Sequence, residues 1–380
     1  MQLGPLPPRW AMVSSQSSPA KSRTAKASAN PTRQAVTAKT ATRSERKPAN
    51  RHAIVVCCSP DWMPLASFAL SSCLEQGAGQ IADLYVVTSG AEPLQRQQVV
   101  DYFKQQGCDI NLLDVKLTPS LQTIVAAKAS SPGALMRMGL HDFLPGHYDR
   151  VLYLDSDILA LQPVALVLET NLNGKPMGAV EDFHSMPGPL SRWQDHPRDA
   201  GLPEGARYFN SGMMLFDWQM TLRQNLLQKS IDLWLDQLAN GGKLTFPDQD
   251  ALNIGFHGQW QPLPVAMNAS SVLIDYFPEK PILRHFSAHY RPWAGYWMPG
   301  LARFKQCYRE MAARSPWSTF QVKPFSTVDF KELAGIILRK MDFISRARYQ
   351  KHVASGLAGA LAETASPPSP PVPLQQASTP

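Results

Sequence analysis

From His52 onward the chain alternates between short apolar runs and longer segments whose apolar residues recur every three or four positions. His52–Cys58 (HAIVVCC) is continuous enough to be a strand buried on both faces, and an apolar-periodic helix near Pro64–Gln76 follows it. Asp83–Thr88 (DLYVVT) reads as a second strand, Glu92–Gln106 as a helix, Asp109–Val115 (DINLLDV) as a third strand and Pro132–Phe143 as a further helix. Arg150–Leu154 (RVLYL) is a fourth strand that stops at Asp155. This βαβαβ rhythm predicts a largely parallel sheet with helices on both faces, and ligands bind such sheets beyond the carboxyl ends of the strands. Further strands are predicted at Met177–Val180, Phe209–Phe216 and Ile282–Phe286, with a long helix near Trp218–Ala239. A last helix, about Val328–Lys351, carries Phe330, Leu333, Ile337, Met341 and Ile344 on one stripe and Lys331, Arg339, Lys340, Arg346, Arg348 and Lys351 on its other faces. Such a helix either packs on the domain or lies on an anionic membrane surface.

Charge is distributed unevenly. Residues 1–51 hold ten Lys/Arg against one acid, Glu45, whereas the whole 380-residue chain is +7, so the body from residue 52 onward is slightly acidic. The basic excess belongs to a Ser/Thr/Ala/Pro-rich tail and does not argue for a nucleic-acid-binding body. That tail has too little apolar surface to offset its ordering entropy. It is read as a solvated tail, a mis-called start with Met12 as one alternative, or an organelle transit peptide. No run of 18 apolar residues and no apolar stretch of signal-peptide length is present. The end from Ser366 to Pro380 is Pro-rich and is expected to be disordered. Cys57, Cys58, Cys73, Cys108 and Cys307 are odd in number and lack CxxC spacing, which fits a reducing cytoplasm better than a disulfide framework or zinc site. The expected organisation is a tail at 1–51, a catalytic domain at 52–315, a helical extension at 316–352 and a Pro-rich tail at 353–380.

The chemistry concentrates at Arg150–Leu159 (RVLYLDSDIL), where a hydrophobic strand delivers two carboxylates one residue apart, Asp155 and Asp157. Hard oxygen ligands at a strand exit suit Mg²⁺ or Mn²⁺ that also holds substrate phosphates. A calcium loop is excluded, because its sixth position would be Ala160 in place of Gly and its twelfth Leu166 in place of Glu. Taken alone, Asp-Ser-Asp is equally readable as a solvated turn. Three more segments accompany it: Tyr208–Asp217 (YFNSGMMLFD), Phe246–Asn253 (FPDQDALN) and Arg284–Trp293 (RHFSAHYRPW).

In order and spacing these four segments resemble glycosyltransferase family 8, over about His52 to Trp293. That family includes lipopolysaccharide galactosyl- and glucosyltransferases, glycogenins and plant galacturonosyltransferases. The resemblance implies a GT-A type nucleotide-diphospho-sugar transferase fold and a retaining, metal-dependent transfer of galactose or glucose from UDP-galactose or UDP-glucose to a saccharide or glycolipid acceptor. It further implies Asp155, Asp157 and His285 as ligands of Mn²⁺ or Mg²⁺. Ser59, Asp61, Arg137, Ser156, Ala288 and Arg291 fall to the donor, and Asp182, Asn210, Asp248 and Gln249 to the reaction centre. Arg291 stands where the family usually has Lys, and Ala288 where it usually has Gly; guanidinium can serve a diphosphate with different geometry, and a methyl group crowds a close backbone approach. Asp250 is equally readable as a structural acid of a helix turn. The acceptor pocket is expected from loops such as His184–Gly205, where Trp193 and Arg192 could meet a sugar.

A glycosidase would need two carboxylates flanking one bond, and a nucleotidyltransferase would commonly carry a Gly-rich loop after its first strand, which here reads CCSPDW. A non-catalytic sugar-nucleotide-binding module would need the metal site without Asp182, Asn210, Asp248 and Gln249.

Overall fold

The computed structural model describes residues 51–127, 132–182, 195–242, 244–270, 281–287, 291–295 and 300–324. Within these, the strands in chain order are β1 (His52–Cys57), β2 (Ala82–Thr88), β3 (Ile110–Asp114), β4 (Arg150–Leu154), β5 (Ile158–Ala160), β6 (Met177–Glu181), β7 (Phe209–Asp217), β8 (Trp260–Pro262), β9 (Ala269–Ser270) and β10 (Leu283–His285). Seven form one sheet in the order β3-β2-β1-β4-β7-β6-β8, and β5-β10-β9 form a second, small sheet. The first half is parallel, with His52 opposite Ala82 on one side and Arg150 on the other. β7 runs antiparallel to both β4 and β6.

Alternate residues of each central strand bury on opposite faces, as a pleated strand requires. Ile54, Val56, Leu84, Val86, Leu152 and Leu154 pack with Ala66, Leu70 and Phe103 from the helices Met63–Glu75 and Pro93–Gln105. Val55, Tyr85, Val87, Val151 and Tyr153 pack on the other side with Ile231, Trp234 and Leu252, from the helices Leu226–Ala239 and Pro247–Gly255. Burying each Ile, Leu or Val of this kind is worth about 1.5–3 kcal/mol. A third cluster, with Phe68, Phe286, Phe304 and Tyr308, seats the Leu301–Ala313 helix against the end of β10. From that helix Lys305 Nζ donates to the Ala294 carbonyl at 2.9 Å and tethers the segment that follows Arg291.

Two predicted helices are broken. Pro132–Phe143 splits into Pro132–Leu135 and Leu140–Phe143. Between them Arg137 turns inward, and its Nε–H takes the Ala134 carbonyl that a continuous helix would offer to the Met138 N–H. Met138 bonds to Leu135 instead. Trp218–Ala239 divides into Trp218–Arg223 and Leu226–Ala239, because Asn225 adopts a left-handed conformation with φ 53°. The sequence pattern also missed a helix at Pro119–Ala126, capped by Thr118. Residues 1–50, the amphipathic segment Val328–Lys351, the Pro-rich end, Ala288, Arg192 and Trp193 lie outside the described residues.

Candidate active site

The polar residues singled out by the sequence collect at the carboxyl edge of β1 and β4. β4 is apolar up to Leu154 and then releases Asp155, whose N–H bonds to the Gly212 carbonyl of β7 at 2.7 Å. Ser156 and Asp157 follow, both buried, and β5 starts at once. Because β5 pairs antiparallel with β10, His285 sits opposite Ile158, one residue past Asp157. The Phe286 N–H bonds to the Asp157 carbonyl at 2.9 Å. This small sheet closes a gap of about 130 positions in sequence.

One ligand atom from each of Asp155, Asp157 and His285 lies within 4.8 Å of the others. His285 Nε2 stands 3.2 Å from Asp157 Oδ1 and 3.9 Å from Asp155 Oδ2. Donors about 2.1 Å from a small divalent ion would stand about 3.0 Å apart at right angles and about 4.2 Å apart when opposed, so the spacing fits one cation. Two further observations agree. Asp157 Oδ1 is buried, and the polar group that faces it is His285 Nε2 at 3.2 Å. Gly212 leaves a cradle beside the ligands that its own Cβ would fill, 2.3 Å from His285 Cε1 and 2.9 Å from Asp155 Oδ2. Burial by itself would raise the Asp157 pKa, but His285 and Arg291 outweigh it and hold the carboxyl below the usual range. Burial likewise pulls His285 down, and the two carboxylates more than reverse it, raising the imidazole.

Arg137 is the hub on the other side of Asp155. Its guanidinium meets Asp155 Oδ1 at 3.1 Å, Asp248 Oδ2 at 3.0 Å and the Ser211 carbonyl at 3.1 Å, and it lies 5.2 Å from the centre of the Tyr153 ring. Tyr153 donates its hydroxyl to the same Asp155 Oδ1 at 2.5 Å, so both neighbours use Oδ1 and leave Oδ2 turned toward His285. Burial raises the pKa of Asp248 in spite of Arg137.

Asp248 and Gln249 occupy the first turn of the Pro247–Gly255 helix. Gln249 Oε1 accepts from the Ser211 N–H at 3.0 Å, and its Nε2 donates to Asp182 Oδ2 at 3.3 Å. Asp182 follows β6 directly after a register shift between Ala179 and Glu181, an irregularity of the kind that re-aims a side chain at a sheet edge. Asn210 Nδ2 donates to the same Asp182 oxygen at 3.0 Å. Asp182, Asn210, Asp248 and Gln249 are therefore brought together, next to the Asp155 group through Arg137 and Ser211. Asp250 stands apart. It is fully buried and accepts from Tyr208, His196, and the N–H groups of Thr245 and Phe246. It anchors the start of the helix, as the structural reading held.

Ser59 and Asp61 lie at the exit of β1, Asp61 exposed in a short 3₁₀ turn. Arg291 reaches Asp157 Oδ2 at 3.5 Å and stacks 5.0 Å from the Trp62 ring, which in turn meets Trp293 edge-on. Tyr153, Ser211, Gly212, Asn268 and Trp62 were missed by the sequence reading. Gly212 could have been found, since glycine inside a strand marks a close approach. Asn268 gave no local signal.

This fold is shared with solved structures. The galactosyltransferase LgtC, solved in complex with donor and acceptor sugar analogs, superposes with a TM-score of 0.58 at 18% identity, covering 74% of this chain and 99% of LgtC. The fold is that of a GT-A type glycosyltransferase. A family model described as "Glycosyl transferase family 8" matches residues 53–296, more than half of the chain, and the protein belongs to that family. General stress protein A of Bacillus subtilis (strain 168) is 24% identical over 55% of this chain and 76% of its own length. Lipopolysaccharide 1,2-glucosyltransferase of Escherichia coli (strain K12) is 24% identical over 69% of this chain and 78% of its own.

Proposed function

We propose that this chain is a metal-dependent, retaining hexosyltransferase that moves galactose or glucose from a UDP-sugar onto a saccharide or glycolipid acceptor in cell-surface glycan synthesis. The observation that carries this reading is the convergence of Asp155, Asp157 and His285 with the Arg137, Asp182, Asn210, Asp248 and Gln249 group. Asp155 Oδ2, Asp157 and His285 Nε2 would hold Mn²⁺ or Mg²⁺. When bound, such an ion supplies Lewis-acid charge for the departing diphosphate. Arg291, braced on Trp62, offers the same phosphates a second positive group. Ser59, Asp61 and Ser156 line the route of the nucleotide in this reading. Arg137 orients Asp155 and Asp248 at once, so that donor hydroxyls meet a preset carboxylate. Asp182, Asn210 and Gln249 form one hydrogen-bonded face, poised to orient the acceptor hydroxyl and the sugar carbon it attacks.

The relatives named as lipopolysaccharide transferases support the acceptor class. Among the described residues no helix is long and apolar enough to cross a membrane. We place the enzyme on the cytoplasmic side, touching the membrane through the basic Val328–Lys351 segment. Incubating the protein with UDP-galactose or UDP-glucose, Mn²⁺ and chelator tests the core of the reading. UDP release that needs both donor and metal is expected, with the product linkage keeping the donor's anomeric configuration by NMR. Undiminished turnover in chelator, or an inverted product, would overturn it. A vesicle of anionic phospholipid should bind the full chain more tightly than a form lacking residues 328–380, and equal binding would remove the membrane contact.

A further inference from the structure

Asn268 lies just before β9, in the small sheet that also carries His285. It is buried, and both ends of its amide are engaged. Its Nδ2 donates to Asn210 Oδ1 at 2.9 Å, and its Oδ1 faces His285 Nδ1 at 3.0 Å. Amide orientations and imidazole tautomers are interchangeable until something fixes them. Here two fixed ends do so. The Gly212 backbone N–H, which can only donate, points at Asn210 Oδ1 from 3.1 Å. At the other terminal of Asn210, Asp182 Oδ2 faces Nδ2 at 3.0 Å. Both constraints set Asn210 the same way round. Its Oδ1 must therefore receive the Asn268 Nδ2–H, and the Asn268 Oδ1 is left as an acceptor. His285 Nδ1 must then carry a proton, and in the neutral ring Nε2 is the nitrogen left free to bind a metal.

We propose that Asn268 is the positioning residue of the metal site: through the chain Asp182–Asn210–Asn268–His285 it holds the proton on Nδ1 and turns the Nε2 lone pair toward Asp155 and Asp157. The inference rests on the metal-site reading above. With Nδ1 committed to Asn268, Nε2 is the nitrogen left facing Asp157 Oδ1 at 3.2 Å, where a proton holds the contact in the metal-free ring and a metal ion would take that proton's place. Metal-bound histidines commonly need such an outer partner, and its loss weakens metal binding by about 10–100-fold. The same chain joins Asp182 at the reaction centre to a metal ligand, so the two groups cannot be reoriented independently.

The test uses the full-length, metal-free protein. With ¹⁵N-labelled histidine, and with His285→Gln to assign the signal, the neutral His285 ring should show the Nδ1–H form in long-range ¹H–¹⁵N spectra. An Nε2–H ring would overturn the proposal whatever the metal data say. Free Mn²⁺ followed by electron paramagnetic resonance then gives affinities. Asn268→Ala should bind at least about tenfold more weakly, as loss of an outer partner predicts. Asn268→Asp can no longer donate to Asn210 Oδ1 but still accepts from Nδ1–H, the contact that orients the ring, and should stay within about threefold of wild type, where a tenfold loss is the effect expected of a missing partner. Wild-type affinity in Asn268→Ala, or equal weakening in both variants, would refute the role. If Asn268→Ala does not fold, Asn268→Asp and the tautomer spectrum still decide it. A wild-type protein that shows the Nδ1–H ring yet takes up no Mn²⁺ would instead sink the metal-site reading, and the role of Asn268 with it.

Discussion

Replacing Gly212 with alanine should disable the candidate metal site while leaving the sheet intact. The added Cβ would stand 2.3 Å from His285 Cε1 and 2.9 Å from both His285 Nδ1 and Asp155 Oδ2. Carbon atoms in contact normally sit about 3.5–4.0 Å apart, so the ring must retreat by about 1.2 Å or more. It has little room, since Asn268 holds Nδ1 at 3.0 Å and β10 is paired on both sides. Ligand distances tolerate about 0.2 Å, so a shift of this size should cost at least the roughly 10–100-fold that follows loss of a ligand's support. The fold should survive. Gly212 is not at positive φ, so its backbone accepts alanine, and overpacking costs about 1–3 kcal/mol against a typical stability of about 5–15. Gly178→Ala is the control. Its Cβ would meet Leu172 Cδ2 at 2.6 Å and the Leu263 methyl groups near 3 Å, and none of its nearest atoms belongs to a ligand residue. Thermal melting and Mn²⁺ titration should separate the two: both variants melt earlier, but only Gly212→Ala loses the metal. If Gly212→Ala keeps wild-type Mn²⁺ affinity, the cradle is not a metal cradle.

Asp157→Ala and His285→Ala should each abolish most metal-dependent UDP binding, and their double variant should be no worse than either alone, because one site is lost once. Additive losses in calorimetric titrations would mean that the two residues serve different sites. Gln249→Ala should lower kcat far more than it weakens UDP binding, as expected of a group acting in the transition state. A variant that retains most of its rate would shift that role to Asp248 or Asp182. Because His285 in the metal-free fold is raised above the ordinary 6.5, its proton competes with the metal already above that pH. Mn²⁺ affinity should therefore fall as pH drops from the alkaline side, beginning above pH 6.5 and not below it. Titrations at several pH values check this, and a flat profile down to pH 6.5 would contradict it.

What the sequence determined by itself is the part built from local repetition. β1, β2 and β4 are legible because strands buried on both faces must be largely apolar, and Asp155 is legible because a carboxylate cannot continue such a strand into the core. The named site residues were reached through four ordered segments whose resemblance to a family carried roles that no single residue type could. Tertiary structure alone decided the rest. Nothing local marks β7 as antiparallel, yet that direction brings Gly212 against Asp155 and Ser211 against Gln249. The break after Leu135 depends on carboxylates that lie up to about 110 positions away and draw Arg137 inward. Asp250 reads in sequence like its neighbours Asp248 and Gln249, and only its own burial and its four donors set it aside as an anchor. Asn268 is the extreme case, a lone amide in an apolar stretch whose role comes entirely from what Gly212, Asn210 and His285 present to it. Periodicity is a property of neighbours along the chain, whereas hydrogen-bond direction and ligand spacing belong to groups that meet only once the sheets have formed.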